Sequence, residues 1–451
     1  MSLDQASNQE TSWRLIAADP PSRARWDTAD LKRRLCFALD IARQAVERLA
    51  ADGYKDAEQP ANNLRPEKVI CETAILLYAA SAASPHKEVR AAVETVARLL
   101  IPHARGTRML LGICLEPSLA LDYAEAHICL SRLGYPDPGF DKLLCQSRNA
   151  QAGFGRERVP HRVLEQRWID GIWMEAMSGR RDRPSPVLLS VLNQPIDLFG
   201  GNREDIYAFT HALMYFRDFN IRPRRLPRAR SVILAEAEAA LARCLDEEDY
   251  DLGGEVLVAW PLTGPSWSLA AAFGFRVLAR VEDAHGYLPA PSTQKQRLDK
   301  LTGQAHTDYW LATAYHTIYV MGLLCAAALH PRRAPPLQMA PRAAANRGAA
   351  DAILQHLDCD GRSVQWRQEI DETTPPEREV LAGFLLNIAL YRKVRRRDFG
   401  AVIELLRIGY RSGLADSPAS SQCAELLERL ATLESITGLS RADLARQPTP
   451  A

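Results

Sequence analysis

An imidazole or carboxylate set in an otherwise apolar helical stretch needs a reason to be there. His127, His211, Glu255 and His316 are four such residues. They sit in similar phrases: LDYAEAHICLSRLGY over 121–135, EDIYAFTHALMYFRDF over 204–219, DYDLGGEVLVAWPLTG over 249–264 and DYWLATAYHTIYVMGLL over 308–324. Asp and Tyr stand near the start of each phrase, and the polar residue follows a few positions on. Two imidazoles and a carboxylate brought together suit a divalent ion, Fe or Zn, with positions left open for substrate. The expected ligands are His211, Glu255 and His316, with His127 or Asp251 completing the set. Taken singly, each also reads as a buried polar residue satisfied by a neighbour.

A second chemistry needs only carboxylates. Asp251 and Glu255 stand four residues apart, so one helix face carries both. Like charges that close raise one pKa, which suits a general acid–base pair in a carbohydrate hydrolase or lyase. Trp168, Trp173, Trp260, Trp267 and Trp310 could stack on sugars or pack in the core. Tyr319, three residues after His316, is a candidate proton donor or a buried hydroxyl. The acidic run DEED at 246–249 reads as a solvated helix exit. Nucleotide-binding, nucleophile-elbow and zinc-protease motifs are absent.

The elements that must position these residues are helices. A 3.6-residue apolar period runs through 31–51, 67–83, 87–103, 118–133, 140–150, 160–177, 203–219, 229–247, 252–262, 267–284, 308–330, 344–357, 377–395, 399–412 and 420–433. A short β-ribbon over 359–370 is the one departure from an all-α reading. His127 and His211 are 84 residues apart, and His211 and Glu255 are 44 apart. A period near 42 accommodates both, with an intervening slot holding Glu165 and Asp170. Extending it backwards reaches Glu72 and forwards Asn387, while the 61-residue gap to His316 needs an insertion. Such a unit is a helical hairpin. Six or seven hairpins either close into an α/α toroid, with inner-helix N-termini around a central cavity, or stack as an open α-solenoid. The apolar character of the phrases favours the toroid. The expected layout is a tail over 1–20, a single domain over 21–439 and a tail over 440–451.

Several phrases together, RLGYPDPGFDKLL (132–144), GRERVPHRVLEQRWIDG (155–171), THALMYFRDF (210–219), DLGGEVLVAWPL (251–262) and YHTIYVMGLLCAA (315–327), carry a resemblance. Over about 65–330 the chain resembles an uncharacterised bacterial all-α family associated with natural-product gene neighbourhoods and a terpenoid-cyclase-like ring. The resemblance implies a role for His211, Asp218, Asp251, Glu255 and His316. The aspartate motifs DDxxD and DxDD are absent, which argues against cyclisation.

With 56 Lys and Arg against 55 Asp and Glu among 451 residues, the net charge is +1. That balance excludes bulk-charge binding of nucleic acid or of a membrane surface. The arginine-rich stretches at 222–230 and 392–397 read as solvated charge or as holds for an anion. The longest apolar run, 317–329, is too short to span a bilayer and reads as a buried core helix. No two of the nine cysteines are closer than 15 residues, so reduced thiols and a cytoplasmic setting are expected. The polar first 20 residues carry no signal pattern. The functional expectation is an enzyme of bacterial specialised metabolism with a small-molecule substrate and a divalent-metal pocket, with a homodimer as the expected assembly. A carbohydrate hydrolase or lyase and a non-catalytic protein-binding scaffold are the alternatives.

Overall fold

Helical periodicity becomes helix among the described residues, and no strand occurs among them. The structure, a computed structural model, describes residues 27–49, 66–83, 85–150, 155–179, 190–336, 348–358 and 364–446. α1 (Thr28–Glu47) begins where the Asp27 carboxylate accepts the Ala29 and Asp30 amides. α2 (Pro66–Ser81), α3 (Lys87–Ala104) and α4 (Thr107–Leu115) follow. After a 3-10 turn come α5 (Ala120–Arg132), α6 (Pro138–Arg148), α7 (Pro160–Ser178) and α8 (Arg203–Arg217). Prolines in the first turn start α2, α6 and α7, where no amide is needed. Asn202 and Asp205 form a capping box at α8.

α9 (Arg230–Asp246), α10 (Tyr250–Leu257), α11 (Ala259–Thr263), α12 (Leu269–His285), α13 (Lys295–Leu298) and α14 (Gly303–Ala328) complete this part of the chain. The single helix expected over 252–262 is divided at Val258, because Pro261 lacks the amide that would continue the ladder. The remaining helices are α15 (Ala349–Asp358), α16 (Gln365–Asp371), α17 (Pro375–Val380), α18 (Ala382–Arg395), α19 (Phe399–Arg411), α20 (Pro418–Thr437) and α21 (Arg441–Arg446). The expected ribbon is corrected in its second half, where α16 forms; residues 359–363 lie outside the described ones. The N-terminal tail also lies outside them, and part of the expected C-terminal tail is the helix α21.

Packing sorts these helices into layers. α2 packs on α5, α5 on α7, α7 on α8, α8 on α10 and α10 on α14, and α14 returns to α2. Six expected repeat slots, around Glu72, His127, Glu165, His211, Glu255 and His316, lie on helices of this circuit. α1 and α3 cover α2, α4 and α6 cover α5, and α9 and α12 cover α10. The expected slot at Asn387 falls elsewhere: α18 packs on α9, α15, α19 and α20, outside the circuit. Asp246 of α9 ties this C-terminal group on, accepting from the Arg392 guanidinium and the Trp366 indole.

Two glycines permit close approaches within the circuit. A Cβ at Gly254 would stand 2.7 Å from Val320 Cγ1, so α10 can lie against α14 only with no side chain there. A Cβ at Gly322 would stand 2.6 Å from the Ala38 Cβ of α1. α14 is long and apolar enough to cross a membrane by composition, yet most of that stretch is buried inside the protein. This agrees with the core-helix reading of 317–329.

Candidate functional site

The first turns of α10 carry the acids. Asp249 caps α10 by accepting the Leu252 amide at 3.1 Å, and Asp251 and Glu255 follow on one face. A helix N-terminus bears partial positive charge, which favours carboxylates there. Glu255 is only 3 % exposed, and the Thr210 hydroxyl of α8 donates to its Oε2 at 2.6 Å. His211 Nδ1 lies 3.3 Å from the same oxygen, and His316 Nε2 of α14 lies 3.7 Å from Oε1. Asp251 accepts from Thr317 Oγ1 at 3.1 Å and Arg203 Nη2 at 3.0 Å, with His316 Nε2 at 3.6 Å. The other imidazole nitrogen, Nδ1, stands 3.2 Å from Glu72 Oε2 of α2. The Tyr315 hydroxyl donates to that same oxygen. Helices α2 and α10 thus meet His316 of α14, and α8 holds the two α10 acids from the other side. The His316 side chain is still 28 % exposed, although Nδ1 itself is buried.

The charges split the titrations. Burial alone would raise Glu72, but the His316 charge and contact, Lys68 and the Tyr315 hydroxyl outweigh it and hold the acid at about 2. Burial likewise opposes ionisation of Glu255, and the charges and contacts of His211 and His316 hold it well below the usual range. Asp251 goes the other way. Its burial and the repulsion of Glu255 and Asp249 prevail over His316 and Arg203, so its pKa is raised. Burial would lower His316, yet the charges of Glu72 and Asp251, with the Glu255 and Glu72 contacts, lift it well above its ordinary value.

A chain of contacts continues toward α7 and α5. The Tyr207 ring lies 3.7 Å from that of His211. Arg162 donates to the Tyr207 hydroxyl at 3.3 Å and to Glu165 at 2.7 Å, and the Tyr215 hydroxyl also donates to Glu165. His161, its ring 6.4 Å from that of His211, is pushed down to about 4 by burial, Arg162 and His211. Glu125 of α5 is buried, and burial with the Glu165 and Asp122 charges raises its pKa well above the carboxylate range.

Of the expected site residues, His211, Asp251, Glu255 and His316 come together. His127 does not. It is fully buried and stacks on Phe140 at 4.1 Å, with Nε2 3.0 Å from Asp141 and the Arg105 guanidinium donating to Nδ1 at 3.1 Å. It stands two residues from Glu125, on the opposite side of α5. Tyr319 is corrected as a proton donor at the site: it is 2 % exposed and its hydroxyl pairs with Thr73 at 2.9 Å. Asp218, at φ 50° beyond α8, accepts from the Tyr78 hydroxyl and the Trp168 indole, which makes it a tie between α2, α7 and α8. The tryptophans belong to the packing. Trp173 donates to Asp141, Trp260 stacks on Trp267, Trp267 donates to the Arg333 carbonyl, and Trp310 meets Tyr287 edge-on.

Glu72 and Glu165 were visible only as repeat slots. Thr210, Tyr207, His161, Arg162, Arg203 and Glu125 had no signal of their own. Among the described residues no group of three or more His, Cys, Asp or Glu side chains is arranged to hold a metal ion. The eight described cysteines are free thiols.

The profile of a domain of unknown function, DUF6895, matches residues 37–326. Its span runs from α1 to near the end of α14, covering the whole circuit and stopping before the C-terminal group. No curated protein and no solved structure matches the chain.

Proposed function

The chain belongs to the DUF6895 family, and we propose that it is an acid–base enzyme, a closed α/α toroid of six hairpins with a small polar substrate in its central cavity. The contact circuit from α2 round to α14 and back supports the closed ring. One observation carries the chemistry: Asp251 and Glu255 share a helix face, both adjoin His316, and their pKa values are displaced in opposite directions. Environments that push two carboxyls apart assign the acid–base roles. Asp251 exchanges a proton with substrate, Glu255 stays ionised to hold both imidazoles, and the partly exposed His316 imidazolium stabilises developing negative charge. Glu72 fixes the orientation of His316. Hydrolysis or elimination on a hydroxyl-rich molecule, such as a carbohydrate, fits these roles. The setting in bacterial specialised metabolism rests on the sequence resemblance alone.

The Fe or Zn reading draws on one feature, the Glu72 contact that aims His316 Nε2 at Asp251 and Glu255, as the second partner of a ligand imidazole does. Against it stands the lack of a ligand group among the described residues. A panel of aryl glycosides and acidic oligosaccharides, assayed with wild type and Asp251→Asn, tests the acid–base reading. Turnover should fall about 10²–10⁴-fold in the variant. Equal turnover in the two proteins would overturn it. Stoichiometric metal in the wild type that is lost in His316→Ala would favour the ion instead.

A further inference from the structure

A cavity lies against α7, on the face turned away from His161, Glu165 and Trp168. It has a volume of about 180 Å³ and sits between the start of α5, the end of α6 and α7. Four arginines line it, Arg148, Arg156, Arg158 and Arg167, beside an apolar strip that includes Leu121 and Val163. On α7 the lining positions 163, 166, 167 and 170 share one face, while His161, Glu165 and Trp168 occupy the opposite one. The cavity is therefore separate from the His316 cluster, and its ligand chemistry stands apart from the acid–base reading.

The four arginines have three carboxylates within 4 Å, which leaves an excess of positive charge at the cavity. Its one lining carboxylate, Asp170, is buried and taken by Arg148 at 2.7 Å. Arg148 also lies over the Trp173 ring, 5.5 Å from its centroid, which fixes that guanidinium. Arg158, 11 % exposed, is tethered to the Ser118 and Arg156 carbonyls, and its nearest carboxylate, Asp122, is 3.7 Å away and already accepts from Gln166 at 2.8 Å. Arg156 has only a loose 3.7 Å pair with Glu116, with both side chains about half exposed. Arg167 is exposed and has no ion pair or hydrogen bond among the described residues. Two guanidinium groups are thus held in place, while Arg156 is loosely paired and Arg167 is unpaired among the described residues. Arg167 adds a fourth cation with no acid of its own, an excess that an entering anion would offset. Guanidinium forks match phosphate oxygens two at a time. The volume is far too small for a nucleic-acid strand, and the apolar strip suits an organic group.

We infer that the cavity between α5, α6 and α7 binds a small organic phosphate, with Arg156 and Arg167 closing on the phosphoryl oxygens and the Leu121–Val163 wall covering the organic part. Titration calorimetry on the full chain with phenyl phosphate, inorganic phosphate and benzoate tests this. Phenyl phosphate should bind saturably and more tightly than inorganic phosphate, and benzoate should bind more weakly than either. The exposed double variant Arg156→Gln/Arg167→Gln should weaken phenyl phosphate about tenfold or more with the melting temperature unchanged. Arg411→Gln, an exposed arginine of α19, should leave affinity as it was. No phenyl phosphate binding up to millimolar concentration, equal affinity for benzoate, or the same loss in Arg411→Gln and the double variant would each overturn the inference.

Discussion

Replacing Glu72 by Gln keeps the shape of the side chain and removes the charge 3.2 Å from His316 Nδ1. At that distance Coulomb's law gives about 5 kcal/mol at an effective dielectric near 20 and about 1 kcal/mol in bulk water. The two side chains are 28 % and 21 % exposed, so the coupling falls between those limits, at about 2–3 kcal/mol. Its loss should lower the His316 pKa in the variant. Linkage gives the sign. A raised His316 adds stability that is complete below its unfolded value of 6.5 and is lost as pH climbs through the folded value. A depressed Glu72 adds stability that is complete above its unfolded value of 4.5 and is lost as pH falls toward about 2. The pair therefore contributes most between those unfolded values, and Glu72→Gln should flatten both flanks. NMR titration of the imidazole carbon resonances, with His316→Ala to assign the signal, reads the shift. A wild-type His316 that titrates at or below the ordinary imidazole value, or one that does not move in Glu72→Gln, would refute the reasoning.

The geometry sets three further outcomes. Glu125 holds a proton in the folded state that the unfolded chain releases, so stability should fall as pH rises above 4.5, and Glu125→Gln should remove that slope; denaturant unfolding at about pH 5 and about pH 8 measures it, and equal slopes would contradict the burial argument. His127→Ala should cost about 2–4 kcal/mol, through the cavity beneath Phe140 and the partners left at Asp141 and Arg105, and should leave the His316 titration untouched; a shifted His316 signal would mean that His127 is coupled to the site. Gly254→Ala should force α10 away from Val320, costing about 1–3 kcal/mol in a thermal melt and lowering the His316 pKa as Asp251 and Glu255 recede; an unchanged melt would show that the approach is not tight.

Much of the fold was legible in the chain because helical periodicity and caps are local. Asp27, Pro66, Pro138, Pro160 and the Asn202–Asp205 box start helices for reasons contained in a few residues. The recurring phrases marked α5, α8, α10 and α14, and their period reached α2 and α7. Asp251 and Glu255 share a face by spacing alone. The period misled at Asn387, because a similar phrase on α18 packs against α9 instead of joining the circuit. Direction was the property that spacing could not supply. α14 is apolar around nearly its whole circumference, so its sequence does not distinguish the side toward α1 from the side toward Glu72. On α5, Glu125 and His127 are both buried, yet one meets the acids of α7 and the other meets Phe140. Tyr319 and His316 sit one turn apart, and only the packing of α2 decides that one reaches Thr73 and the other Glu72. A helix buried on both sides carries no local record of which neighbour each polar group will meet. The displaced pKa values of Glu72, Asp251, Glu255 and His316 arise from those meetings, so they belong to the tertiary structure alone.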